Sequence, residues 1–65
     1  MRYNLISLRK KKKYTQLELA TKLGITERQY QRLEAGDSKG SVDVWESLKH
    51  ILKAKSIDWL LEQSE

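Results

Sequence analysis

Two helix-start signals, eleven residues apart, leave this chain little freedom over residues 15–33. Thr15 with Glu18, and Thr26 with Gln29, both fit the pattern S/T-x-x-E/Q. In that arrangement a hydroxyl accepts from one free helix N–H, while the Glu or Gln accepts from the backbone of the cap residue. Gly24 stands just past the first of the two runs, where a left-handed residue ends a helix most easily. The stretch therefore reads as helix, tight turn, helix.

The spacing of apolar residues says which sides of these helices meet. Leu19, Ala20, Leu23, Ile25, Tyr30 and Leu33 are the residues that two crossed helices would bury against each other, with Ala20 small where the second must come close. Setting Glu27 at zero and advancing 100° per residue, Tyr30 and Leu33 fall at roughly 300° and 240°. Glu27, Gln31, Arg28 and Arg32 fall at roughly 0°, 40°, 100° and 140°. One side of the second helix is thus core, and the other is a continuous polar arc with two arginines. A helix-turn-helix commonly lays its second helix in the major groove of DNA, and this arc is the candidate surface for reading bases.

Length sets the remaining limits. Sixty-five residues make at most one domain, read here as residues 1–65, and a chain of this size buries only about 60% of its unfolded surface. Cysteine is absent, and no His, Asp or Glu cluster has metal-ligand spacing, so neither a disulfide nor a zinc ion is expected as a staple. No cofactor is expected either. Proline is also absent and glycine numbers three, which suits an all-α chain. No run is long and apolar enough to span a bilayer, and the basic start lacks an apolar signal core, so a cytoplasmic protein without a membrane partner is expected.

The net charge of +4 is unevenly placed. Residues 1–15 hold six Lys or Arg and no acid, whereas residues 41–65 hold three basic and five acidic side chains. A front that faces a polyanion fits this gradient. Lys10 to Lys13 crowd the end of a predicted first helix, Arg2 to about Lys12, whose apolar side is Leu5, Leu8 and Ile6. Cations there complement the helix dipole, and they are equally suited to meet phosphates, Lys13 among them. Tyr14 reads as an apolar link into the second helix. Arg9 on the first helix and Glu34 at the end of the third are expected to pair and hold the third at a fixed angle.

Ala35 to Gly40 reads as a loop, with Lys39 a phosphate contact that sets register without reading sequence. Ser41 caps a predicted fourth helix to about Leu52, on which Val42, Val44, Trp45, Leu48, Ile51 and Leu52 form a broad core face. His50 lies among polar positions and reads as solvated. Ser56 caps a short last helix with Asp58 in its first turn. Ile57, Leu60 and Leu61 share an arc there, but Trp59 points away from it. Either a second chain covers this helix, with Trp59 and Leu61 at the interface, or Trp59 folds back over the first or fourth helix. Gln63 to Glu65 should fray.

These residues resemble the lambda-repressor-like, Cro/repressor-type helix-turn-helix family of phages and bacteria. The resemblance rests on Leu8-Arg9, Thr15-Gln16, Leu19-Ala20, Leu23-Gly24-Ile25-Thr26, Leu33-Glu34, Gly36 and Ser56-Ile57-Asp58-Trp59-Leu60-Leu61, and so covers nearly the whole chain. It implies a five-helix all-α domain that binds operator DNA, usually as a homodimer. By position it implies that Gln16 contacts a phosphate and braces the third helix, and that Glu27, Arg28 and Arg32 read base edges with Gln31 between them. It further implies a buried Arg9–Glu34 pair and a backbone contact from Lys39. Three positions depart from the family pattern. Lys13 stands where Gly is common, so a strained turn is expected. Gly40 replaces a common proline, which should loosen that loop. Tyr30 replaces a β-branched residue, which should widen the helix crossing.

The resulting expectation is a transcription regulator, of the repressor kind, bound in the major groove of a near-palindrome. Arginine matches guanine O6 and N7 with two hydrogen bonds, and Glu27 can accept from cytosine N4 or simply favour the helix start. The competing class is a protein-binding module of the same fold acting on another regulator, antirepressor or antitoxin-like. Its polar arc would face protein, and duplex binding would be indifferent to sequence. An enzyme is not expected, because the lone His has no partner at useful spacing and no glycine-rich phosphate loop is present. No segment suggests a small-molecule effector.

Overall fold

The computed structural model describes residues 1–63, which form α1 (Tyr3–Lys11), α2 (Gln16–Leu23), α3 (Glu27–Ala35), α4 (Val42–Leu52) and α5 (Ile57–Leu61). There is no strand among the described residues. Hydroxyls start four of the five helices. Thr15, Thr26, Ser41 and Ser56 accept from the backbone N–H of Glu18, Gln29, Val44 and Trp59 at 3.0, 3.1, 3.2 and 3.1 Å. The first two are complete capping boxes, because Glu18 and Gln29 accept in return from the cap N–H at 3.0 and 2.9 Å. The two hydrogen bonds from Thr15, backbone first and hydroxyl second, hold the Glu18 carboxyl below its usual range.

The helix ends are equally alike. After α1, α2 and α3 the chain passes through one left-handed residue, at Lys13, Gly24 and Gly36 with φ of 63°, 73° and 87°. Paired returning bonds close each end: Tyr14 N–H to Arg9 and Lys13 N–H to Lys10, Ile25 N–H to Ala20 and Gly24 N–H to Thr21, and Asp37 N–H to Arg32 and Gly36 N–H to Leu33. This is the Schellman geometry, which satisfies carbonyls a helix would otherwise leave open. Lys53 ends α4 in the same left-handed region, with φ of 54°. The expected strain at Lys13 is therefore a specific backbone state, which costs a residue with a Cβ about 1–2 kcal/mol.

The core draws on every helix. Leu5 of α1, Leu19 and Ala20 of α2, Tyr30 and Leu33 of α3, Trp45, Leu48 and Leu52 of α4 and Leu60 of α5 are all buried. Tyr14, Leu23, Ile25, Ile51 and Trp59 pack around them. α2 and α3 pack on each other, and α5 lies across α1 and α4. Asn4 ties α1 to α5, donating to the Trp59 carbonyl at 3.0 Å and the Glu62 carboxylate at 2.9 Å.

Several details differ from the sequence reading. Val42 is 71% exposed instead of part of the α4 core face. It stands at the edge of the apolar arc, roughly 120° around the helix from Leu48, outside the side that meets the core. Gly40 takes φ of 65°, a value no proline ring can adopt. A Cβ there would stand 2.8 Å from Leu33 Cδ2 and 3.1 Å from Trp45 Nε1. The loop is thus closely packed at Gly40, not loosened. Gln63, expected to fray, lays its side-chain amide over Gly36. The expected fraying of Ser64 and Glu65 lies outside the described residues.

The largest difference is Arg2. It belongs to the basic front of the sequence, yet it is 3% exposed. Its guanidinium NH1 donates to the carbonyls of Leu33 at 2.6 Å and Ser38 at 2.7 Å, and its backbone N–H donates to the Glu34 carbonyl at 2.8 Å. The guanidinium also lies 5.1 Å from the ring centre of Trp45. A buried cation is tolerable there because the end of α3 carries partial negative charge and the indole face adds more. Burial still pulls the guanidinium below its usual pKa.

Candidate nucleic-acid interface

The side of α3 that turns away from the core is assembled by its other side. Tyr30 and Leu33 are buried while Glu27, Arg28, Gln31 and Arg32 are exposed. Their order around the helix follows from 100° per residue. Its beginning is fixed by the Thr26 capping box, and its end by Gly36 and Arg2.

Glu34 clamps the helix from beneath. Arg9 Nε donates to Oε2 at 2.6 Å, the Tyr30 hydroxyl to the same oxygen at 2.7 Å, and Gln16 Nε2 to Oε1 at 2.8 Å. One carboxylate thereby joins α1, α2 and α3. Arg9 spends a further donor, NH1, on the Tyr14 carbonyl at 2.9 Å, so the turn between α1 and α2 is held by the same pair. Arg9 and Glu34 are both largely buried, with side-chain exposures of 11% and 5%. Burial, then the hydrogen bond to Glu34, pushes the Tyr30 hydroxyl far above the usual tyrosine range.

Gln16 extends this network outward. Its Oε1 accepts from Gln31 Nε2 at 3.4 Å. Gln31 is therefore the one member of the exposed arc leashed to α2, while Glu27, Arg28 and Arg32 project without a side-chain hydrogen bond among the described residues. Gln16 is also the first residue of α2, and the backbone N–H groups that open a helix attract anions. Lys13, exposed and three residues earlier, adds a cation at the same end.

Across from α2, the loop before α4 carries Lys39 on a fixed backbone. The Trp45 indole N–H donates to the Lys39 carbonyl, Arg2 holds the Ser38 carbonyl, and Gly40 N–H donates to Ser38 Oγ at 3.2 Å. The Lys39 side chain itself is exposed. An open hollow of about 310 Å³ separates this loop from α3, edged by Arg32, Gln29 and Ser38. The Gln29 amide there is already engaged by the Thr26 cap.

Two positioning residues were not legible in the sequence. Arg2 reads as one more cation in a basic run, and Ser38 as one more loop residue, because their roles rest on backbone carbonyls brought together only by the fold. Trp59 and Leu61 sit on different sides of α5: Trp59 lines a groove beside α1, and Leu61 a hollow beside the start of α4. Among the described residues no cluster of His, Cys, Asp or Glu could hold a metal ion, and no helix is long and apolar enough to cross a membrane.

Comparison with known proteins agrees with this geometry. No curated protein and no solved structure matches the chain. The family described as helix-turn-helix matches residues 5–60, from the first core leucine of α1 to the last of α5. It is a family of DNA-binding regulators and not of enzymes. With its capped helix pair, its exposed polar arc on α3 and a match over nearly its whole length, the chain belongs to the lambda-repressor-like, Cro/C1-type helix-turn-helix family.

Proposed function

We propose that this DNA-binding regulator acts as a repressor-type protein that reads a near-palindromic operator, one α3 in the major groove of each half-site. The observation that carries the reading is the exposed arc of Glu27, Arg28, Gln31 and Arg32 on a helix whose other side is locked by Tyr30, Leu33 and Glu34. A reading helix must be held rigidly for a bidentate contact to discriminate, and such a contact distinguishes bases by about 1–3 kcal/mol. Arg28 and Arg32 read guanine, Glu27 accepts from cytosine N4, and Gln31 serves both the duplex and Gln16. Gln16, Lys13 and Lys39 meet phosphates on either side and set the register.

A single domain of this size binds too little DNA for strong affinity, so two copies are required, with their α3 helices about 34 Å apart. Of the two residues expected at the interface, Leu61 has the better neighbour. It edges a hollow of about 350 Å³ together with the exposed Val42 at the start of α4, and this is the surface on which two copies meet. Cytoplasmic action completes the reading.

Selecting preferred duplexes from a random pool tests it directly. A defined two-fold related motif is expected for the wild type. Arg28→Ala is expected to lose discrimination at one position in each half-site while keeping its fold by circular dichroism. If Arg28→Ala and Arg32→Ala both select the same motif at the same affinity and salt, α3 does not read the bases.

A further inference from the structure

A second concave surface lies away from α2 and α3. It is a groove of about 420 Å³ between the end of α1 and the turn joining α4 to α5. Leu8, Ala54 and the half-buried indole of Trp59 form its floor. Four lysines form its rim: Lys11 at the end of α1, Lys12 just past it, and Lys53 and Lys55 from the turn. All four are exposed, and no carboxylate lines the groove. Glu62, the residue just past α5, is engaged by Asn4 of α1. Among the described residues, no hydrogen bond occupies the indole N–H of Trp59, whereas that of Trp45 is used by Lys39.

An apolar floor ringed by like charges is complementary to an apolar side chain flanked by carboxylates. The volume is within the range of ligand sites, which runs from about 300 to 1,000 Å³. A small molecule needs a few fixed polar groups to orient it, and beside its flexible ammonium groups the lining here adds one serine, Ser7. An extended acidic chain asks for no such precision, because each carboxylate can meet whichever ammonium is near it. A duplex is a poorer occupant, since its phosphates have no use for a floor made by Leu8, Ala54 and an indole.

We propose that this groove docks an acidic peptide segment of a partner protein, with one aromatic or aliphatic side chain on Trp59 and Leu8 and its flanking Glu or Asp residues on Lys11, Lys12, Lys53 and Lys55. None of the lining residues belongs to α2 or α3. The partner is thus held without covering the exposed arc of α3, and one copy of the chain can carry it to DNA. Docking by itself does not depend on what α3 recognises.

The test is a titration of the whole protein, without DNA, by a synthetic twelve-residue peptide of Glu and Asp around a central Leu-Phe pair. Tryptophan fluorescence and amide resonances are read together, and Trp59→Phe separates the indole in the groove from the buried Trp45. Saturable shifts centred on Leu8, Lys11, Ala54 and Trp59 are expected, with a dissociation constant that weakens at least tenfold in Lys11→Gln/Lys55→Gln. The same peptide with Gln for every acid, and an all-Glu peptide without the Leu-Phe pair, should each bind at least tenfold more weakly. Both lysine substitutions are at exposed positions, and an unchanged circular dichroism melt verifies the fold.

Three results overturn the proposal. The first is the absence of shifts at these residues at millimolar peptide. The second is equal binding by the all-Glu peptide, which makes the groove a general polyanion surface. The third is a set of shifts that depends on protein concentration and not on peptide, which makes the occupant a second copy of the chain. A failure of α3 to select a DNA motif leaves this titration unchanged, so the two readings stand or fall separately.

Discussion

Tyr30→Phe takes one donor from Glu34 while Arg9 and Gln16 keep theirs. Its expected cost is about 1–2 kcal/mol. Glu34→Ala instead strands a largely buried Arg9 and a buried hydroxyl together, and about 3–5 kcal/mol is expected. Urea unfolding at pH 7 measures both. The raised Tyr30 pKa adds a dependence on pH with a definite sign. Unfolded tyrosine ionises near pH 10, while the folded hydroxyl keeps its proton well beyond that. The contribution is complete below about pH 10. Above it the unfolded chain binds fewer protons than the folded one, so stability falls by about 1.4 kcal/mol per pH unit. Subtracting the same unfolding series for Tyr30→Phe isolates this fall from that of the lysines. Arg2→Met keeps much of the volume but leaves the Leu33 and Ser38 carbonyls without their donor. A loss of about 2–3 kcal/mol is expected in the same assay.

At the scale of helices, the starts were legible and the ends only half so. Every hydroxyl cap after α1 could be read from Thr15, Thr26, Ser41 and Ser56, because the cap is a local contact between residues three apart. Of the four left-handed helix ends, Gly24 and Gly36 announced themselves; Lys13 was flagged only by the family resemblance, as standing where Gly is common, and Lys53 not at all, since lysine carries no local signal for positive φ. Val42 was misjudged for a related reason: periodicity says which residues share a side of α4, not how much of a broad apolar arc the neighbouring elements cover. The exposed arc of α3 was legible from spacing alone, whereas Arg2 was not, because its partners lie 31 and 36 residues away. Glycines of like φ should also differ in their tolerance. Gly24→Ala meets no atom within 4 Å, so only backbone strain of about 1 kcal/mol is expected. Gly40→Ala adds a clash with the buried Leu33 and with Trp45, and its midpoint in urea should fall clearly below that of Gly24→Ala.

The whole molecule carries a net charge of +4, and the two large cations not free to meet DNA are Arg2 and Arg9. Affinity for any duplex should therefore depend on the lysines at two places: beside the start of α2 and in the loop before α4. Lys39→Ala is expected to weaken binding to all sequences alike and to reduce the slope of log affinity against log salt by about one. Dimer formation is tested by Val42→Asp, which places an acid in the first turn of α4, where it favours the helix, and in the hollow beside Leu61. The variant is expected to melt like the wild type, to sediment as a monomer at concentrations where the wild type does not, and to lose preference for two half-sites over one. Equal sedimentation of the two proteins moves the contact between copies elsewhere.

Arg2 gives the recognition unit an unusual dependence on the other end of its own chain. Residues 15–36, excised as a peptide, would keep both capping boxes and both glycine ends, and would still lose the grip of Arg2 on α3 and of Arg9 on Glu34. A ribosome makes Arg2 before the carbonyls of Leu33 and Ser38 exist, so Arg2 waits for α3 and the loop behind it before it can find its seat. Tags and fusions placed ahead of Met1 have to leave that seat open.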